Sequence, residues 1–347
     1  MPVASIIIIT CNGRETLGPC LRSVLAQDMR GFEIILVDNG STDGSAEMVS
    51  RRYPRVRVVR MGRNAGFAGG NNEGLRRARG KWAVMLNDDT VVEPNWLREL
   101  ITPLERGEAE LVSSRVYTRN VDPKFYEKNG SLSLLGYNIM RVFDDPEALF
   151  NITGCAAAFS RRLFPVPFDV DYFFYSEDVY LSLLARFKGY RIMQAPLSVV
   201  QHVGSSTTGK MQVRFITFCQ ERNRLLNLLL FFSGSVLLRL LPLVLLDFAA
   251  KTALAALGSL KSGKRRRKSL AGVLEAYAWL ATHGSLVRAK RRDIQRQKRV
   301  RDEAVLSWMS CKFVNGEGLL SRLANLPATI YCALVGLRTV EFKKAAA

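Results

Sequence analysis

Three apolar runs, each closing on a polar turn, constrain this chain more than any other feature. Val3 to Ile9 contains four consecutive isoleucines and leads into Thr10-Cys11-Asn12. Phe32 to Val37 ends on Asp38, and Lys81 to Leu86 ends on Asn87-Asp88-Asp89. A segment apolar on both faces must be covered on both faces, which is the condition of an inner strand in a parallel sheet. Between the first two runs, Thr16 to Gln27 carries Leu17, Leu21, Val24 and Leu25 at helical spacing. Ser41 and Thr42 stand where they can cap a second helix bearing Ala46 and Val49, and Val56 to Val59 reads as a third short strand. Alternating strands and helices predict an α/β fold with a mostly parallel sheet flanked by helices. In open sheets of this kind ligands sit outside the carboxyl ends of the strands, an edge that Asp38, Asp88 and Asp89 share.

Adjacent carboxylates at the end of a buried strand are costly unless a cation or hydrogen-bond donors compensate them. A hard divalent metal held by one or two carboxylates and completed by phosphate oxygens is one such use. Capping of a helix that starts near Pro94 is the bland alternative. The remaining turn sequences tilt the balance. Thr10-Cys11-Asn12, Asp38-Asn39-Gly40-Ser41-Thr42-Asp43, Asn64-Ala65-Gly66-Phe67, Asn72-Glu73-Gly74 and Leu86-Asn87-Asp88-Asp89 follow one another in that order. Their order and spacing resemble the nucleotide-sugar half of family 2 glycosyltransferases with the GT-A fold.

That resemblance implies a residue-by-residue assignment. Thr10, Asn12, Asp38 and Asn39 would lie near the nucleoside. Asn64, Gly66 and Asn72 would shape the donor pocket, with Asn87 and Asp88 beside them. Asp89 would hold Mg²⁺ or Mn²⁺ on the donor diphosphate. Asn87 stands where many relatives carry the first carboxylate of Asp-x-Asp, which shifts the metal to Asp89. Phe174-Tyr175-Ser176-Glu177-Asp178-Val179 resembles the acceptor-side Glu-Asp motif, implying Asp178 as general base with Glu177 as its neighbour. His202, followed by Val-Gly-Ser-Ser, is similar to a family histidine that ligates the metal or contacts the diphosphate. Relatives resembling bacterial rhamnosyltransferases often read Glu-Asp-Val-Asp-Leu, and Tyr180 replaces the second Asp here. Gln220-Glu221-Arg222-Asn223 lacks the Gln-x-x-Arg-Trp signature of processive synthases, so a single-addition or short-run enzyme is expected. A transferase of this kind implies a dTDP- or UDP-sugar donor and a lipid-linked glycan acceptor.

The resemblance covers residues 3 to 224, expected to form the catalytic domain, and residues 225–347 read differently. Leu225 to Leu260 is rich in Leu, Ala, Val and Phe, yet its longest uncharged stretch is fourteen residues, ending at Leu238, where a span needs about twenty. At 100° per residue Arg239, Asp247 and Lys251 fall within an arc of about 120°, predicting a helix lying in a membrane interface. Pro242 is expected to kink that helix or start a new one.

Net charge is +19, and residues 261–301 carry fourteen Lys and Arg against Glu275 and Asp293. A segment so basic expects a polyanion. Without an aromatic stacking array or a groove-reading motif, the anionic membrane surface is the better partner than nucleic acid. The six cysteines show no metal spacing, and residues 1–10 show no basic leader or cleavage site, which fits a reducing cytoplasm and attachment to the cytoplasmic face of the inner membrane. A buried helical hairpin and a homo-oligomer face with a solvated basic flank are the other uses open to the apolar tail. Gly66-Phe67-Ala68-Gly69-Gly70 also raises a dinucleotide-dependent oxidoreductase, but its glycines lack Gly-x-Gly-x-x-Gly spacing and follow the third strand.

Overall fold

The computed structural model describes residues 1–118, 129–203, 211–258, 269–315 and 318–344. They fall into two compact units. The first comprises Met1–Asn129, Asp144–Ala185 and Tyr190–Lys210, and the second Gly130–Phe143, Arg186–Gly189 and Met211–Ala347.

In the first unit β1 (Ala4–Thr10), β2 (Phe32–Asp38), β3 (Val56–Arg60) and β4 (Trp82–Asn87) are parallel, in the spatial order β3-β2-β1-β4. The isoleucine run explains why both faces are covered. Ile6 and Ile8 pack with Leu17, Leu21 and Val24 of α1 (Arg14–Leu25) and with Val49 of α2 (Ser45–Arg52). Ile7 and Ile9 point the other way, onto α3 (Gly66–Arg77). A Cβ on Gly74 would lie 2.4 Å from the Ile7 side chain, and one on Gly70 would lie 3.0 Å from Ile9. The glycines that raised a dinucleotide fingerprint are therefore used to seat a helix closely on the sheet.

Beyond β4 the sheet mixes directions. It continues β4-β9-β6-β10-β5, where β5 is Thr90–Val92, β6 Leu111–Thr118, β9 Ala156–Ser160 and β10 Ile192–His202. The expectation of a mostly parallel sheet holds, with β9 antiparallel to β4 and β6, and β5 antiparallel to β10. Register brings Thr10 beside Asp38 and Ile9 beside Asn87. Because β9 runs backwards, its start at Ala156 lies opposite Leu86, so Gly154 and Cys155 reach the same edge as the strand ends. Helices α4 (Trp96–Glu105) and α5 (Glu177–Phe187) follow β5 and β9 in the chain. One local expectation needs correction: α2 has Gly44 as its N-cap, and Ser41 and Thr42 do not cap it, because Asn12 bonds to both.

The second unit contains a hairpin, β7 (Asn129–Leu132) and β8 (Asn138–Phe143), and the helices α6 (Val213–Phe231), α7 (Gly234–Gly258), α8 (Leu270–Thr282), α9 (Gly284–Gln297), α10 (Asp302–Leu306), α11 (Leu319–Leu334) and α12 (Val340–Lys344). Arg224 and Leu225, at the expected domain boundary, both sit inside α6. Helices α6 and α8 meet at Gly272, where a Cβ would lie 2.5 Å from the Arg214 carbonyl oxygen.

A paired network sits below α7. Arg224 binds Glu221 at 2.8 Å and Asp247 at 3.0 Å, Lys251 binds the same carboxylates at 2.6 and 2.7 Å, and Tyr137 donates to Asp247 at 2.9 Å. The polar stripe read from the sequence thus has another role than facing headgroups. Asp247 and Lys251 turn inward, because two buried charges on α6 need partners. Nor does a new helix start at Pro242, since α7 runs through it. The cluster Lys264–Lys268 lies outside the described residues.

Candidate active site

The acid pair after β4 is built into the sheet edge. Asp88 accepts a hydrogen bond from the Thr10 hydroxyl at 2.6 Å. Gly13, which precedes α1, makes room for this contact, because a Cβ there would lie 2.2 Å from Asp88 Oδ2 and 2.4 Å from Thr10 Oγ1. Burial raises the Asp88 carboxyl to about 7, opposed by the Thr10 hydrogen bond and reinforced by the neighbouring Asp89 charge. Asp89 is also buried, and its Oδ1 lies 3.1 Å from His202 Nε2. Pairing of His202 with Thr90 across β10 and β5 sets that distance, and the Val203 amide holds the Asp89 carbonyl at 3.0 Å.

A carboxylate oxygen and an imidazole nitrogen this close, beside a second buried acid, fit one divalent ion. Among the described residues no group of three or more His, Cys, Asp and Glu forms a complete ligand set. An ion here would be completed by ligand oxygens.

The neighbouring loops are tied together by amides. Asn12, at φ 60°, accepts from the Thr42 amide at 2.7 Å, while its own amide donates to Ser41 Oγ at 2.9 Å. Asp38 accepts from the Ser41 amide at 3.0 Å. Asn39 donates to Asn64 Oδ1 and to the Gly66 carbonyl and accepts from the Ala65 amide, locking the turn that starts α3. Gly66 has φ +72°, and a Cβ there would lie 2.2 Å from the Phe173 carbonyl oxygen. Asn72 lies deeper: it donates to the Phe168 carbonyl at 2.7 Å and accepts from the Phe168 amide at 3.2 Å. Both ends of its amide are used as an internal clip.

Asp178 joins this edge through Gly154. Its Oδ2 accepts from the Gly154 amide at 3.1 Å and its Oδ1 from the Val179 amide at 2.8 Å. The next residue, Cys155, accepts from the Asn87 amide at 2.9 Å, so Asp178 is one residue removed from the strand pairing that ends at the acid pair. The backbone leading to it is strained. Phe173, Tyr175 and Ser176 have positive φ, and with Asn12 they are the non-glycine residues of this kind among the described residues. Such strain persists where surrounding structure imposes it and gathers at functional sites. Here the Phe67 amide pins the Phe173 carbonyl at 2.7 Å.

Burial raises the Asp178 carboxyl despite its amide donors, and burial together with the Asp178 charge raises Glu177 to about 8. Glu177 Oε2 is buried without a hydrogen-bond partner among the described residues. Glu177 is therefore mostly neutral at pH 7. Its raised value stabilises the fold below its ordinary 4.5, and that contribution is lost as pH rises through about 8. Glu177→Gln is expected to be more stable than the parent by roughly 2–4 kcal/mol at pH 8 and by little at pH 5, measured by urea unfolding.

Sequence reasoning had singled out Thr10, Asn12, Asp38, Asn39, Asn64, Gly66, Asn72, Asn87, Asp88, Asp89, Glu177, Asp178 and His202, which all lie in the first unit. It missed Gly13 and the Phe173–Ser176 turn, whose roles arise from non-local contacts.

The glycosyl transferase family 2 model matches residues 5–165, spanning β1 to just past β9. Residues 5–165 form a family 2 glycosyltransferase domain. The succinoglycan biosynthesis protein ExoO of Rhizobium meliloti is 29% identical over 123 residues, 35% of either chain. Glycosyltransferase GlyG of Streptococcus pneumoniae is 30% identical over 126 residues, 35% of this chain and 42% of that one. The chain thus spans about a third of the length of the curated relatives it matches. The GT-A family 2 domain has the fold of GalNAc-T7, solved with UDP, GalNAc and Mn²⁺, at a TM-score of 0.58 with 16% identity over 81% of this chain and 57% of that one.

Proposed function

We propose that this chain moves one sugar, with inversion, from a nucleotide-diphosphate donor to a lipid-linked glycan acceptor in cell-surface polysaccharide synthesis. The observation that carries the reading is the convergence, at one sheet edge, of the Asp89–His202 pair and the Asp178 carboxylate held by Gly154. Two opposed functions, a cation seat and a desolvated base, are what displacement at an anomeric carbon requires.

Asp38 and Asn12, on the loops after β2 and β1, would bind the nucleoside. Asn39 and Asn64 would keep the Gly66 turn against the donor. Asp89 and His202 would hold Mg²⁺ or Mn²⁺, which when bound neutralises the charge developing on the leaving diphosphate. Asp178 would take the proton from the acceptor hydroxyl as its oxygen attacks the anomeric carbon and the bond to the diphosphate oxygen breaks. Burial makes Asp178 a stronger base than an exposed carboxylate, and neutral Glu177 leaves it the acceptor of that proton.

GalNAc-T7 with UDP and Mn²⁺ and the sugar-polymer protein ExoO support this class of donor and pathway. A UDP-sugar and a dTDP-sugar such as dTDP-rhamnose are both carried forward as donors. The test is hydrolysis of a panel of UDP- and dTDP-sugars with Mn²⁺ or Mg²⁺ present. Metal-stimulated release of one nucleoside diphosphate is expected, and binding of NAD with no turnover of any nucleotide sugar would overturn the proposal. The same reading puts the chain at the cytoplasmic face of the inner membrane as a peripheral protein. No helix among the described residues is long and apolar enough to cross a membrane.

A further inference from the structure

The second unit exposes two apolar helix faces where a water-facing surface would carry charge. On α7 the charged side chains Asp247 and Lys251 are used up in the buried network, and the outward positions are Leu238, Leu241, Leu245 and Leu246, at 71, 47, 56 and 67% exposure. Their spacing of three, four and one residues is that of one helical face. On α11 the outward positions are Leu319, Leu320, Leu323, Leu326, Ile330 and Leu334, all at least half exposed. Arg322 is the single charged residue in that helix.

The two faces belong together. Tyr331 of α11 donates to the Arg239 carbonyl of α7 at 2.8 Å, and the Arg239 guanidinium returns to the Val335 carbonyl at 3.4 Å. These bonds hold α7 and α11 against one another, with Leu238 and Leu334 next in sequence to the contact residues. Exposed apolar patches above roughly 300–600 Å² are unusual on a soluble monomer and mark interaction surfaces.

Charge selects the occupant. Arg239 and Arg338, against the single acid Glu303, line a cavity of about 770 Å³ with Ala333 and Gly336 at the end of α11. Cations beside an apolar face match a bilayer surface, with acyl chains under the leucines and phosphates at the arginines. A second copy of a chain with net charge +19 would bring like charges together.

We infer that α7 and α11 together form an in-plane membrane-docking plate that inserts its leucines into an anionic leaflet. This inference rests on the membrane-peripheral part of the proposed function and names the surface responsible. The sequence had pointed to an interfacial helix within residues 225–260 and a basic segment at 261–301, and α11 adds a further apolar face.

The experiment is flotation of the full chain with vesicles of phosphatidylcholine alone or with phosphatidylglycerol, alongside sedimentation velocity without lipid. The parent is expected to float with the anionic vesicles. The triple variant Leu320→Glu, Leu323→Glu, Ile330→Glu, altered at positions at least half exposed, is expected to float at least tenfold less while keeping its nucleotide-sugar hydrolysis. In a second measurement, Leu320→Trp should show a blue-shifted emission with anionic vesicles that brominated lipid quenches. Parent-like flotation of the triple variant, or no quenching at position 320, overturns the α11 surface while leaving peripheral attachment standing. Absence of flotation by the parent itself overturns peripheral attachment. A parent dimer that the triple variant abolishes, with no vesicle binding, assigns the face to a second copy and also overturns the inference.

Discussion

Asp178→Asn is expected to lower transfer by about 10³-fold while leaving donor binding within a few-fold of the parent, because a positioned base contributes roughly 10²–10⁴. The substitution is nearly isosteric. An amide oxygen can still accept from the Gly154 amide, now at 3.1 Å; the bond from the Val179 amide is given up, and the strained turn before α5 keeps its tie between the Phe67 amide and the Phe173 carbonyl. What is lost is the ability to take a proton. Calorimetry with the nucleoside diphosphate and single-turnover transfer separate the two effects. Equal losses of binding and transfer would mean that Asp178 supports the loop, and near-parental transfer would remove it from the chemistry. The pH profile gives an independent check. Burial raises the Asp178 carboxyl, so the parent's acidic limb should lie above the usual carboxylate range, and the variant should lose that limb.

Much of this architecture is legible in residue order because parallel strands buried on both faces leave a strong mark. Four isoleucines in a row cannot belong to a half-exposed strand, and the structure divides them between α1 and α3. The acidic and amide residues after β1, β2 and β4 are legible for a related reason: turns at strand ends are short, so the residues that meet ligand lie within a few positions of the apolar run. The contacts that position them are less visible. Nothing near Gly13 in the chain announces that Asp88, 75 residues later, needs the space of its missing side chain. Nor does the sequence show that Asn72 is consumed by Phe168. Helix α7 misled for a physical reason. Its polar stripe satisfies charges buried on α6, and a stripe facing buried partners has the same periodicity as one facing water.

Asp89→Asn tests the other half of the site, and its expected effect is of similar size. With the carboxylate gone, His202 loses the partner 3.1 Å away and the cation seat keeps one imidazole beside Asp88. Metal-ion stabilisation of a leaving diphosphate is worth several kcal/mol, so turnover at saturating Mn²⁺ should fall by about 10³-fold. The distinguishing observation is the metal dependence of binding. The parent should bind the nucleoside diphosphate more tightly with Mn²⁺ than without it, whereas Asp89→Asn should bind equally under both conditions, at about the parent's metal-free affinity. Asp38 and Asn12 lie on other loops, so the nucleoside contacts proposed for them would be untouched by the change. If Asp89→Asn kept the Mn²⁺ enhancement while Asp88→Asn lost it, the cation would belong to Asp88. The Thr10 hydroxyl, 2.6 Å from Asp88, would then be a hydrogen bond that yields when the ion enters, and the Asp89–His202 pair would serve to fix β10 against β5.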